Sequence, residues 1–453
     1  MGQTRGVYRL DWIEQLKLKM TPVPATGAVL KVSPVVWSLG FTSLLTDIST
    51  EMMNSALPVY LVLHLHLSPV QYGVIDGLYN GLAVALLSIV AGLAADRWSR
   101  HKEVAGFGYV LSGLCKLLLL AAGGAWGWIA AIVGLDRAGK GIRAAPRDAL
   151  ISFNSPREAL ASAFAVHRGL DAGGALIGPV VAFILLAQVP GAFDLLWLTS
   201  FVFAVLGCGV LALFVPGSRT PDAIRARTHE APSSPSEQEL TPANTPPENV
   251  STMRQTFQLL GTARFGTIAV CALLLALATI SDGFIYLVLQ QRTGTSASYL
   301  PLFYVGTACF YMVFSVPAGI LADRIGRSRV LLGGYLVLAL VYTALLCIPQ
   351  IGWPAALGCL ALMGIYYAAT EGILMALASA VVPVRLRTSG LALIGTAIGI
   401  GKMFSSVVFG WLWGGTGQFV AIVSFIAVLA LVVVIAIFRL RAVMGEQSVV
   451  SAK

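Results

Sequence analysis

The chain has 453 residues, of which 57% are hydrophobic and only 11% charged. A typical soluble domain carries about 25% charged residues, so this composition excludes a water-soluble fold and predicts an integral membrane protein. The net charge of +9 does not indicate a nucleic-acid partner, because the basic residues stand at the ends of apolar runs, where membrane topology accounts for them.

Residues 1–33 are polar and mixed, with no short apolar core and cleavage site, so no cleavable signal peptide is expected. Within them "RLDWIEQLKLKM" sets Leu10, Ile13 and Leu16 beside lysines; it reads as a cytoplasmic segment, either an interfacial helix or a disordered tail. A spanning helix needs about 20 mostly apolar residues. Such runs occur near 36–63, 70–94, 104–123, 126–147, 160–187 and 193–215, within a first unit of 34–216. A second set lies near 264–290, 298–321, 329–349, 353–378, 388–411 and 417–438, within 263–441. Residues 217–262 are rich in Pro, Ser, Thr and Glu and cannot bury a core, which predicts a disordered linker; 442–453 form a short tail. The predicted class is therefore an all-α membrane protein of twelve transmembrane helices in two six-helix halves.

The halves repeat each other. "GLAADRWSR" from Gly92 recurs as "GILADRIGR" from Gly319, 227 residues later, and Pro156/Pro383 and Ser162/Ser389 share that offset. Duplicated six-helix halves indicate a transporter with its solute site between them, near the membrane midplane. Segments on the N-terminal side of the membrane hold Arg97, Arg100, Lys102, Arg147, Arg157, Arg324, Arg327, Arg329, Arg385, Arg387, Arg439 and Arg441, whereas the opposite loops hold only Arg292. Both termini and the linker are therefore expected in the cytoplasm of a plasma (bacterial inner) membrane.

"GLDRAGKG" at 134–141 has the glycine and lysine spacing of a phosphate-binding loop, but Gly141 stands where a magnesium-holding Ser or Thr is needed, and the stretch continues an apolar run. Six cysteines are scattered singly without a C-x-x-C pair, so no metal or redox site is expected. No nucleophile–base pair stands out, so neither an enzyme nor a cofactor is expected.

Charges inside the spans are the candidate site, because a charge facing lipid costs about 3 kcal/mol or more. They are Asp47, Glu51, Asp76, Lys116, Asp136, Arg137, Lys140, His167, Arg168, Asp171, Asp282, Glu371 and Lys402. Asp47 and Glu51 are one turn apart on helix one, an arrangement suited to holding a proton, with Arg137 or Arg168 expected as the charge partner of Asp47. His167 and Asp171 are also one turn apart, beside Arg168. Asp136 and Lys140 are expected to neutralise each other, Glu371 and Lys402 to pair across helices ten and eleven, and Asp76 and Lys116 to sit toward the aqueous ends.

These residues resemble the major facilitator superfamily over nearly the whole chain. Its motif G-x-L-A-D-R-x-G-R-K is matched by Gly92, Asp96, Arg97 and Arg100, with Ser99 where the family prefers glycine, and more weakly by Gly319, Asp323, Arg324 and Arg327. The resemblance implies that Asp96 accepts from the start of helix eleven near Ser389, and that Arg97 and Arg100 pair with Asp148 in a lock of the outward-facing state. Arg137 and Gly141 resemble the helix-four motif, and Gly174, Gly178 and Pro179 resemble the antiporter motif G-x-x-x-G-P, without its trailing glycine pair. The expected protein is a monomeric transporter that moves a small solute by alternating access, coupled to protons and directed outward. Proton-coupled uptake and a non-transporting sensor on the same fold are the alternatives.

Overall fold

The computed structural model describes residues 32–80, 87, 90–91, 94–95, 97–156, 159–217, 258–383 and 386–450. The N-terminal segment, Gly92, Asp96 and most of the linker lie outside the described residues. The first half contains α1 (Pro34–Pro58, continued by a π-helical stretch Val59–His64), α2 (Pro69–Asn80), α3 (His101–Ala121), α4 (Trp126–Phe153), α5 (Leu160–Gln188) and α6 (Phe193–Phe214). The second contains α7, broken into α7a (Ala263–Leu277) and α7b (Asp282–Thr293), then α8 (Leu300–Ile325), α9 (Arg327–Cys347), α10 (Trp353–Ser379), α11 (Arg387–Thr416) and α12 (Gln418–Val450).

Local chemistry sets the ends. Ser33 caps α1 by accepting from the Val35 N–H at 3.3 Å, and Pro34 supplies a helix-ready φ just after it. The turn between α8 and α9 places Gly326 at φ 102°, a conformation open to glycine. Its repeat mate Ser99 turns the chain at φ 50° with a side chain attached, so the first copy of the motif keeps the left-handed turn and bears its strain.

Among the described residues, nine helices are long and apolar enough to cross a membrane by length and composition. α4 is not among them, because Asp136, Arg137, Lys140, Arg143 and Arg147 interrupt it. α1 carries a buried polar face of Thr42, Ser43, Thr46, Asp47, Ser49 and Thr50. These two helices bring the polar interior of the first half. The stretch 134–141 lies inside α4, which disposes of the phosphate-loop geometry.

The halves meet where α2 crosses α11. A Cβ on Gly73 would stand 2.5 Å from the Ser406 carbonyl oxygen, and one on Gly77 2.8 Å from that of Met403, so backbone lies on backbone. At the same end Ser298 before α8 donates to the Leu186 carbonyl of α5 at 2.8 Å, and the Phe183 and Tyr299 rings stand 5.2 Å apart. Toward the other end, Gly169 of α5, Gly319 of α8 and Gly395 of α11 have nothing within 4 Å of a Cβ position. Among the described residues, these close contacts between the halves lie at the end holding the 65–68 and 294–299 loops; the opposite end holds Arg97, Arg100 and Gly326.

Candidate functional site

The predicted single span at 264–290 is interrupted in mid-course. Residues 278–281 leave the helix, and Ser281 precedes the first turn of α7b. The freed backbone is satisfied by neighbours: the Ile280 N–H donates to the Tyr342 hydroxyl at 2.7 Å, and the Ser405 hydroxyl donates to the Thr279 carbonyl. Irregular backbone at membrane depth persists where protein or a cavity covers it. Here it lines a cavity between the halves. Asn54, Asp76 and Tyr79 of the first half face residues 279–283, Tyr304, Tyr367 and Lys402 of the second.

Three charges reach this cavity. Both oxygens of Asp282 accept from the Tyr367 hydroxyl, at 2.6 and 2.7 Å. Lys402 Nζ stands 6.0 Å from the centre of the same tyrosine ring. Among the described residues no carboxylate lies within 4 Å of Lys402, so the expected pair with Glu371 is not formed; Lys402 is level with Tyr367, and Glu371, a turn further along α10, is exposed. Asp76 is buried and ties the halves together, its Oδ2 accepting from Ser406 at 2.6 Å and its Oδ1 from Tyr72 at 3.5 Å.

Behind the cavity wall, α3 and α4 enclose a charge triad. Lys116 approaches Asp136 at 2.5 Å and Arg137 approaches its other oxygen at 2.6 Å, with all three side chains almost fully buried. Ser112 donates to Asp136 as well, at 2.5 Å. The expected Asp136–Lys140 pair is therefore replaced. Asp136 faces α3, drawn close by glycines: a Cβ on Gly139 would stand 2.8 Å from the Gly108 carbonyl oxygen. Buried donors there compensate the desolvated carboxylate. Nor does Lys116 sit at an aqueous end. The Arg137 guanidinium lies 3.7 Å over the Tyr79 ring, which itself lines the cavity.

A second cluster joins α1, α4 and α5. Asp47 pairs with Arg143 at 3.1 Å, not with Arg137 or Arg168. The reason is angular: six residues at about 100° each turn Arg143 to a different face of α4 from Arg137, toward α1. Arg143 also donates to Thr46 at 2.8 Å and lies 4.5 Å over the Tyr109 ring. The Asp47 and Asp171 carboxyls stand within hydrogen-bonding reach of each other. Asp171 accepts from Ser43 at 2.7 Å and has Arg147 at 3.9 Å. Gly174 and Gly178 seat α5 on α1 at these acids, since added Cβ atoms would stand 3.0 Å from those of Asp47 and Glu51; Pro179 follows, buried. Glu51 accepts from Asn54 at 2.9 Å. His167 is buried with neither ring nitrogen hydrogen-bonded, and Arg168 is exposed.

At the end holding Arg97 and Arg100, Asp148 is held by its neighbour Arg147 at 3.0 Å, while Arg97 and Arg100 are exposed, so the expected pairs with Asp148 are not made in this state. In the second copy of the motif Arg327 approaches Asp323 at 3.5 Å and donates to the Ala376 carbonyl of α10 at 3.0 Å, and Arg324 is exposed. Gly141 is buried on α4, one turn beyond Arg137. Arg143, Arg147, Tyr79 and Tyr367 are the participants that sequence reasoning missed. For the arginines the signal was present, as charge recurring along one apolar helix.

Two six-helix halves closed on each other at one end, with a polar cavity at a broken helix between them, define a membrane transporter. The chain belongs to the Major Facilitator Superfamily, whose profile matches residues 39–309 and again 267–451. An uncharacterized MFS-type transporter of Methanocaldococcus jannaschii is 28% identical over 393 residues, covering 84% of this chain and 89% of that one. Among solved structures, the nucleoside transporter NupG is similar in fold at 15% identity and TM-score 0.67, over 91% of this chain and 98% of that one. A bacterial homolog of the human lysosomal transporter Spinster, in an inward-facing and unoccupied conformation, is similar at 13% identity and TM-score 0.66, over 91% and 97%.

Proposed function

We propose that this transporter is proton-coupled and exports a small solute in exchange for protons, working as a monomer in the plasma membrane with both termini and the linker in the cytoplasm. The observation that carries the coupling is the Asp47–Asp171 pair. Two carboxyls within hydrogen-bonding reach share that bond when one of them holds a proton. When the proton leaves, two anions face each other across the tight α1–α5 seat, and Arg143 and Arg147 are the cations beside them. Proton loading thus changes the forces between helices that line the interior of the first half. The basic residues at the end holding Arg97 and Arg100 support placing that end in the cytoplasm, and contact of the halves at the opposite end supports an inward-open conformation.

The test is reconstitution in liposomes with an internal pH dye, an imposed pH gradient and pools of small solutes. Asp47→Asn is expected to abolish solute-dependent proton flux and uphill accumulation while downhill solute exchange survives. Full pH-driven accumulation by Asp47→Asn refutes the assignment. Proton-coupled uptake is the second reading; in its favour, Ala182 and Phe183 stand near where the antiporter motif has its trailing glycines.

A further inference from the structure

Lys402 and Asp282 line one cavity without a direct ion pair between them. Asp282 is engaged by the hydroxyl of Tyr367, and Lys402 stands off the ring of that same residue. One tyrosine therefore touches the acid and approaches the base. Opposite charges that make no direct ion pair around a cavity at membrane depth are costly unless a ligand or water compensates both. A ligand with one charge leaves the other uncompensated, and a neutral ligand leaves both. Ser281, beside Asp282 at the helix break, adds a hydroxyl without a hydrogen-bond partner, and Tyr79 and Tyr304 also line the cavity.

We propose that the cavity at the α7 break recognises a small zwitterion, its carboxylate at Lys402 and its ammonium at Asp282. This rests on the transport reading only in that the ligand would be the solute carried. Asp76 is the further acid of the cavity, and its hydrogen bond from Ser406 assigns it to the contact between halves rather than to the ligand.

The test is binding to the purified full chain in detergent, read as the ligand-dependent shift in thermal unfolding. The probes are glycine, β-alanine, γ-aminobutyrate, 5-aminovalerate and 6-aminohexanoate, which step the distance between the charges. Each has two capped controls, the amide, which keeps only the ammonium, and the N-acetyl form, which keeps only the carboxylate. At least one member is expected to bind about tenfold or more tightly than both its capped forms, a difference large enough to resolve. Lys402→Gln is expected to bind the amide as well as the zwitterion, and Asp282→Asn to do the same with the N-acetyl form. A merely structural role for either residue would lower all binding without exchanging selectivity. Capped forms that bind the parent chain as tightly as the zwitterion overturn the proposal, as does a series in which no member binds. Solute-dependent proton flux persisting in liposomes when no zwitterion binds refutes the ligand class and leaves transport standing. Zwitterion binding without flux for any solute does the reverse.

Discussion

The triad of Lys116, Asp136 and Arg137 makes an ordered prediction about stability. Asp136→Asn removes the sole carboxylate of the triad and leaves Lys116 and Arg137 buried together. Lys116→Met leaves Asp136 with Arg137 at 2.6 Å and Ser112 at 2.5 Å, so the carboxylate stays compensated. Removing one partner of a buried pair costs about 3–5 kcal/mol. Lys116→Met should fall at about 3 kcal/mol and Asp136→Asn at about 5, since it strands two cations. For a unit of 150–250 residues one kcal/mol moves the unfolding midpoint by roughly 2–4 °C, giving roughly 6–12 °C and 10–20 °C. The double variant should be less damaging than Asp136→Asn alone, because it removes one of the stranded cations. The assay is intrinsic fluorescence of the purified chain during heating in detergent. If Asp136→Asn unfolds at or above the temperature of Lys116→Met, or if the two losses simply add, the triad is not a mutually compensated unit.

Two further outcomes are expected. Ser99→Gly relieves a left-handed turn that its repeat mate makes with Gly326, and should stabilise by about 1 kcal/mol, read as a raised unfolding midpoint. Asp76→Cys with Ser406→Cys replaces a 2.6 Å contact between the halves, so oxidant should cross-link the pair and stop transport until reductant restores it; neither single variant should respond.

Much of the fold was legible because each span answers to a local rule. An apolar run of sufficient length must cross, and a recurrence at 227 residues exposes the duplication. The break in α7 was not legible, because an average over a window of spanning length absorbs four non-helical residues. Its trace was "SDG" at 281–283, a serine of the kind favoured before a helix start, an acid and a glycine inside an apolar run. The identity of the site residues was readable from the cost of charge in lipid, but their partners were not. Spacing along α4 suggested Lys140 for Asp136, and mid-span depth suggested Arg137 for Asp47. The actual partners, Lys116 and Arg143, depend on which faces α3 and α1 present, and glycine contacts far apart in sequence decide that.

The crossing of α2 and α11 has a mechanical consequence. Gly73 and Gly77 meet the backbone of α11 at Ser406 and Met403 with no side chain of their own between, so at these two turns the joint resembles a smooth bearing more than a meshed gear, pinned by the Asp76–Ser406 hydrogen bond. From Gly410 at that bearing, α11 runs back to Arg387, a lever arm of about 35 Å at 1.5 Å per residue. A roll of roughly 10° at the bearing then sweeps the far end through about 6 Å, the width of a small solute, from the same helix geometry. Bulk added at Gly73 would therefore act on the amplitude of the swing, far from the charges that bind or release anything.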